Sequence, residues 1–146
     1  TQLLFLKNFL AQPSLLLDSE HQKNYTKEIL TILERSNFSY LFGPNSRSEV
    51  PVTGYIGKNI ISGQVDRLVI GPKKISIVDF KTNLSVPANV SEVPKQYLAQ
   101  MAAYRIVLKQ IFPTRNVECV LLWTHKPSIM PLPEEILEEK FIGLQS

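Results

Sequence analysis

Cysteine is almost missing from this sequence: Cys119 is the single one among 146 residues. One thiol excludes an internal disulfide framework and a cysteine-built zinc site, and it suggests a reducing compartment. Long apolar runs are missing too. None approaches the roughly 20 residues of a membrane-spanning helix, so no membrane partner is expected. The N-terminus lacks the charged-then-apolar pattern of a secretory leader, so the four Asn-x-Ser/Thr sequons at Asn24, Asn37, Asn83 and Asn89 read as chance. There are no repeats, low-complexity segments or clear linkers. Nor is there a large excess of one charge: the net +3 permits a nucleic-acid partner without demanding one. What remains is an ordinary globular composition, long enough for one domain with a real core.

The pattern of apolar residues supplies the elements. Leu3 to Leu10 is strongly apolar and suits a helix ending before Pro13; its abrupt start suggests a fragment whose beginning lies upstream. Ser19-x-x-Gln22 can cap a helix running to about Ser36, with Tyr25, Ile29, Ile32 and Leu33 as its stripe. Phe42 to Ser46 is a loop by turn chemistry. Strands follow at Val50 to Ile56, near an edge because Pro51 lacks a donor, then Ile60 to Ile70 and Ile75 to Lys81. Asn83 to Val93 is irregular and long for a plain connection. Pro94 opens a helix to about Ile111. Val117 to Thr124 is nearly all apolar, a strand buried on both faces. Pro127, Pro131 and Pro133 keep the next stretch extended, and Glu134 to Phe141 suits a short helix. A last strand reached through a helix implies a mixed sheet with helices packed on it.

The strand Ile75 to Lys81 ends unusually, with Asp79 and Lys81 two residues apart and therefore on one face. The turn before it is centred between Pro72 and Lys73. Symmetric pairing about that centre sets Asp66 opposite Asp79, with Cβ atoms about 5 Å apart. It also sets Gln64 opposite Lys81, and Val65 opposite Phe80 in the core; a bulge would break this register. Two carboxylates so close repel by roughly 4 kcal/mol at an effective dielectric of about 20. Protonation, a neighbouring base or a divalent cation would relieve that repulsion. Lys81 compensates in part, and oxygen ligands favour a hard ion such as Mg²⁺ or Mn²⁺. The competing reading is an Asp66–Arg67–Lys81 surface ion network. On the following helix Gln96, Gln100 and Tyr104 recur every four residues and share a face. The Gln100–Tyr104 pair could orient a phosphate or a water there.

Taken in order, Gly63-x-x-Asp66-Arg67, Asp79-x-Lys81 and Gln100-x-x-x-Tyr104 resemble the PD-(D/E)xK nucleases. More narrowly, they resemble the nuclease module of RecB/AddA-type helicase-nucleases. Ser48-Glu49-Val50-Pro51, Ser62 to Leu68, Val78 to Asn83 and Leu121 to Thr124 bring the AddA nuclease module closest, from about Leu41 to Pro133. The resemblance implies a restriction-endonuclease-like α/β core: a three-stranded meander plus a strand after a crossover helix, flanked by helices. It implies Asp66, Asp79 and the Phe80 carbonyl as metal ligands and Lys81 as the group that activates water and stabilises charge on the phosphate. Gln100 and Tyr104 would support the site. Glu49 matches a family glutamate, although a connector paired with Arg47 explains it equally.

Residues 1–146 are then expected to be a single nuclease domain, the C-terminal fragment of a larger helicase-nuclease. It would cut DNA single strands with Mg²⁺ (Mn²⁺ as a substitute) during double-strand break repair and recombination. An AddB-like partner in a bacterial cytoplasm is implied, with ATP used only by motor domains outside this chain. Gly54 to Asn59 lacks the spacing and terminal Ser/Thr of a phosphate loop. The family's metal-ligand histidine matches neither His21 nor His125 and is expected upstream of Thr1. The alternative is an inactive nuclease-fold module that binds DNA or a protein. Lys73, Lys74, Lys95, Arg105 and Lys109 would serve either role through phosphate contacts.

Overall fold

The computed structural model describes residues 19–35 and 38–145; the helix expected over Leu3 to Leu10 lies outside them. Helix α1 spans Ser19–Arg35 and buries Ile29, as the apolar stripe predicts. The Ser19–Gln22 cap and the side chains of Tyr25 and Leu33 lie outside the described residues. A short 3₁₀ turn, Ser39–Phe42, then drives Leu41 and Phe42 into the interior. Strand β1 spans Ser46–Ile56, β2 Asn59–Ile70 and β3 Lys74–Lys81. β1 starts four residues before its apolar pattern does, because pairing with β2 extends it through Ser46-Arg47-Ser48. Gly57, at φ 60°, closes the hairpin between β1 and β2 with a backbone that a side chain would strain.

Helix α2, Lys95–Ile111, crosses over to β4, Asn116–Trp123. β4 lies parallel to β3 through eight paired positions, from Lys74↔Asn116 to Lys81↔Trp123. The proline-bounded stretch after it is more than extended chain: Ser128–Pro131 forms a fifth strand, β5, antiparallel to β4. Helix α3, Glu134–Gln145, continues past Phe141. The sheet order β1-β2-β3-β4-β5 leaves β1 at an edge, where the missing donor of Pro51 costs no ladder bond.

Two apolar clusters sandwich the sheet. Ile75, Ile77, Cys119, Leu121 and Trp123 face α2 and α3, meeting Met101, Val107 and Leu137. Val78, Phe80, Val120 and Leu122 face the other way, against Ile29 and Phe42. β4 thus contributes to both clusters, as its unbroken apolar run predicts. Each full burial of such a side chain is worth about 1.5–3 kcal/mol, so the central strands dominate the core.

The first hairpin departs from simple alternation. Val50, Val52 and Val65 belong with the α2-side cluster, and so does Leu68, three residues after Val65. Val69 and its partner Ser46 lie on the opposite face. Both strands therefore exchange faces between Ser48↔Arg67 and Val50↔Val65, although residue numbers of partners keep the same sum throughout. The skipped position is Glu49 opposite Asp66. Glu49 has φ 54°, the one positive φ at a non-glycine among the described residues. A left-handed residue in one strand is what turns the local pleat over.

This exchange corrects two sequence expectations. The symmetric β2–β3 register holds at Arg67↔Val78 through Ile70↔Ile75, but the recorded pairing ends there, before Asp66 and Asp79. Val65 and Phe80 consequently sit in different clusters and do not pair in one core. Arg105 is a further correction. It is buried, donating from Nε to the Val117 carbonyl (3.2 Å) and from its terminal nitrogen to Glu134 (2.6 Å). It fastens α2 to β4 and α3 and is not a surface phosphate contact.

Candidate active site

The odd residues of β3 face α2. Ile75 and Ile77 fill that face with core, and Asp79 and Lys81 continue it where the apolar packing stops. Both are only partly exposed, with side-chain exposures of 13% and 12%. The Lys81 ammonium rests against Asp79 Oδ2 as an ion pair. Its orientation still leaves Oδ2 buried without a directed hydrogen bond. An acid and a base this shielded are more strongly coupled than a surface pair would be.

Asp66 completes the pair. Where the β2–β3 ladder stops, its carboxylate replaces the missing backbone acceptor: the Phe80 N–H donates to Asp66 Oδ2 at 2.7 Å. Burial pushes the Asp66 carboxyl up to about 7, assisted by its hydrogen-bonding contact and charge repulsion with Asp79, while the Phe80 N–H and Lys81 pull it down. The two carboxylates are thus in contact, as the symmetric turn predicts, although they meet by side-chain reach past the end of the ladder. The Phe80 N–H and C=O point to the same edge of β3, so the Phe80 carbonyl also faces the Asp66 side.

Arg67 takes no part in this arrangement. It turns to the opposite face, donates to the Leu41 carbonyl (3.1 Å) and Ser46 Oγ (2.6 Å), and lies over the Phe42 ring. The competing Asp66–Arg67–Lys81 surface network is therefore not formed. Glu49 is exposed and lies across the hairpin from Asp66 at the skipped pair. The register brings it beside the site.

The α2 stripe divides. Gln96 and Gln100 are exposed, whereas Tyr104 is buried. Gln100 Nε2 reaches the Tyr104 hydroxyl only at 3.4 Å, a weak bond. That hydroxyl is seated on Gly63: a Cβ there would lie 2.0 Å from it. The glycine of the Gly63-x-x-Asp66 motif is thus needed for close approach of α2 to β2. Lys73 and Lys74 stand at the other end of β3 from Lys81, and Lys74 is paired with Glu118 at 3.3 Å.

Sequence reasoning missed Tyr97, Asn83 and Thr124. The Tyr97 ring lies under Lys81, with the ammonium 3.8 Å from its centroid. Asn83 donates to the Tyr97 hydroxyl at 3.0 Å, and Thr124 holds the Lys81 carbonyl through both its N–H (2.9 Å) and its hydroxyl (3.2 Å). Tyr97 was discoverable, since it precedes Gln100 by three and Tyr104 by seven on the same helix face.

Among the described residues, no three His, Cys, Asp or Glu side chains converge as a metal cluster. The donors that do converge are the Asp66 and Asp79 carboxylates. One is countered by a single ammonium, and the other's charged form is disfavoured. Such an all-oxygen, over-acidic pair fits a hard divalent cation.

Two solved structures are similar to this chain. A crystal structure of a candidate exonuclease from Eubacterium rectale superposes with a TM-score of 0.56 at 18% identity, over 85% of this chain and 50% of that one. A crystal structure of SSO0001 matches at a TM-score of 0.41 and 21% identity, over 86% of this chain and 63% of that one. This chain therefore spans half to under two thirds of the length of those two. No curated protein matches it. The fold is the mixed, helix-flanked sheet of restriction-endonuclease-like proteins, and PD-(D/E)XK nucleases generally depend on divalent metal. The family model for the PD-(D/E)XK nuclease superfamily matches residues 7–136, nearly the whole chain, and the chain belongs to that superfamily.

Proposed function

We propose that this domain hydrolyses DNA phosphodiester bonds with Mg²⁺, as the nuclease of an AddA-type helicase-nuclease. The observation that carries the reading is the half-buried Asp66–Asp79 pair with the Lys81 ammonium against it. Asp66, Asp79 and the Phe80 carbonyl would hold the cation. When bound, it supplies the positive charge that stabilises negative charge developing on the phosphate. Lys81 orients the attacking water and adds a second positive charge at the same centre. Tyr104, seated on Gly63, keeps α2 against β2, and Gln100 would support the site from the same helix. Glu49, across the hairpin from Asp66, would contact the incoming strand or its water shell.

In the parent protein the substrate would be single strands delivered by an ATP-driven motor, alongside an AddB-like subunit in a bacterial cytoplasm. These contexts rest on the ordered motifs Gly63-x-x-Asp66-Arg67, Asp79-x-Lys81 and Gln100-x-x-x-Tyr104. The test is cleavage by the intact protein carrying Asp79→Ala or Lys81→Ala. Cutting should fall by at least about a thousandfold while unwinding persists. Nuclease activity retained in either variant would overturn the assignment.

A further inference from the structure

The Lys81 ammonium sits beside two acids, Asp79 in contact and Asp66 within charge range, and against one aromatic ring. The ammonium lies against Asp79 on one side and over the Tyr97 ring on the other, 3.8 Å from the centroid. Tyr97 is itself held at two points. Its hydroxyl exchanges hydrogen bonds with Asn83, at 3.0 and 3.3 Å, and its ring packs on Trp123 with centroids 6.4 Å apart. Trp123 is fully buried and pairs with Lys81 in the β3–β4 register, so the ring is anchored to the strand next to the lysine's own. Thr124, the next residue, fixes the Lys81 backbone carbonyl.

From this arrangement we infer that Tyr97 is the positioning residue for Lys81: its ring face is a second seat for the ammonium. A lysine side chain has four rotatable bonds, and a single carboxylate does not fix all of them. An aromatic face supplies an attraction that is electrostatic but chemically inert, so it neither takes the proton nor competes for a cation. The distinction matters once the Asp79 oxygens turn to a divalent ion. The ion pair then weakens, and the ring is the seat that keeps the ammonium beside the reacting phosphate. The inference rests on the nuclease reading for its catalytic consequence but not for its geometry.

The test uses the parent protein with Tyr97→Leu, Tyr97→Met and Tyr97→Phe. The first two remove the ring by different shapes, so a folding failure in one leaves the other informative. Brief acetylation followed by mass spectrometry reads how freely Lys81 moves, with exposed Lys58 at the hairpin tip as internal reference. Losing the ring should raise Lys81 labelling relative to Lys58 by about threefold or more, and further with Mg²⁺ present, whereas Phe should match the wild type. Cleavage should show kcat lowered about tenfold with KM little changed in the ring-less variants, and rescue by Phe. Unchanged Lys81 labelling in both ring-less variants would overturn the proposal. So would a Phe variant as impaired as Leu, which would move the role to the hydroxyl. Altered labelling with no cleavage in any protein, wild type included, would uphold the seat and instead reject the nuclease reading.

Discussion

Without divalent cation, Asp66→Asn should stabilise this protein at about pH 8 and change it little at about pH 4.5. The Asp66 carboxyl is raised from 3.8 to about 7 in the folded state. A raised carboxyl favours the protonated form on folding, so its contribution is complete below the unfolded value and is lost as pH climbs through the folded one. Each unit corresponds to about 1.4 kcal/mol, and a three-unit rise would amount to about 4 kcal/mol for a fully shielded group. Asp66 retains contact with water, and screening reduces the figure to about 2 kcal/mol. Asparagine keeps the size and still accepts the Phe80 N–H, but it carries no charge to repel Asp79. The assay is urea unfolding of both proteins in EDTA at the two pH values, comparing the difference between them. Millimolar Mg²⁺ at about pH 8 should then raise the wild type and leave the variant behind. An offset identical at both pH values, or a variant that loses ground as pH rises, would refute the electrostatic argument.

Other consequences follow from the packing around the site. Gly63→Ala places a methyl 2.0 Å from the Tyr104 hydroxyl, so thermal unfolding should show a loss of about 1–3 kcal/mol and cleavage should fall with it. Gly54→Ala meets Val107 at 2.6 Å and should destabilise similarly with no direct effect on the carboxylates. Arg105→Ala leaves the Val117 carbonyl and Glu134 without their donor; denaturant titration should register a loss of about 2 kcal/mol. Cys119 is buried, and its thiol is pushed up to about 12, so iodoacetamide should modify it only as fast as the chain unfolds.

Much of the site was legible because its geometry is local. The turn centred on Pro72–Lys73 fixes the four pairs from Arg67↔Val78 to Ile70↔Ile75, and that register projects Asp66 toward Asp79. Alternation alone puts Asp79 and Lys81 on one face. The exchange of faces at Glu49 and Asp66 was not legible, since no residue pattern marks a glutamate for a left-handed backbone. Strand β5 was hidden for a related reason: Ser128 to Pro131 is too short and too proline-bounded to signal a strand, and pairing with β4 creates it. Arg105 misled by its charge. Its guanidinium is drawn inward by a carbonyl and a carboxylate contributed from two other elements, which only the tertiary arrangement brings together. Tyr97 was overlooked because a tyrosine on an apolar helix reads as packing until the lysine above it is located.

The exchange of faces in the first hairpin also constrains how its length can vary. Partners on both sides of Glu49 and Asp66 share one numerical register, so the inner and outer halves are locked to a single alignment. A residue gained or lost in one strand alone would slide Asp66 away from the Phe80 amide and turn apolar residues to solvent. Matched additions beyond Tyr55 and Ile60, at the exposed tip, would leave every pair below them untouched. The hairpin tip can therefore lengthen only in matched residues, built on a base that tolerates no insertion: Gly54 packs on Val107 and the Tyr55 carbonyl accepts from Gln110.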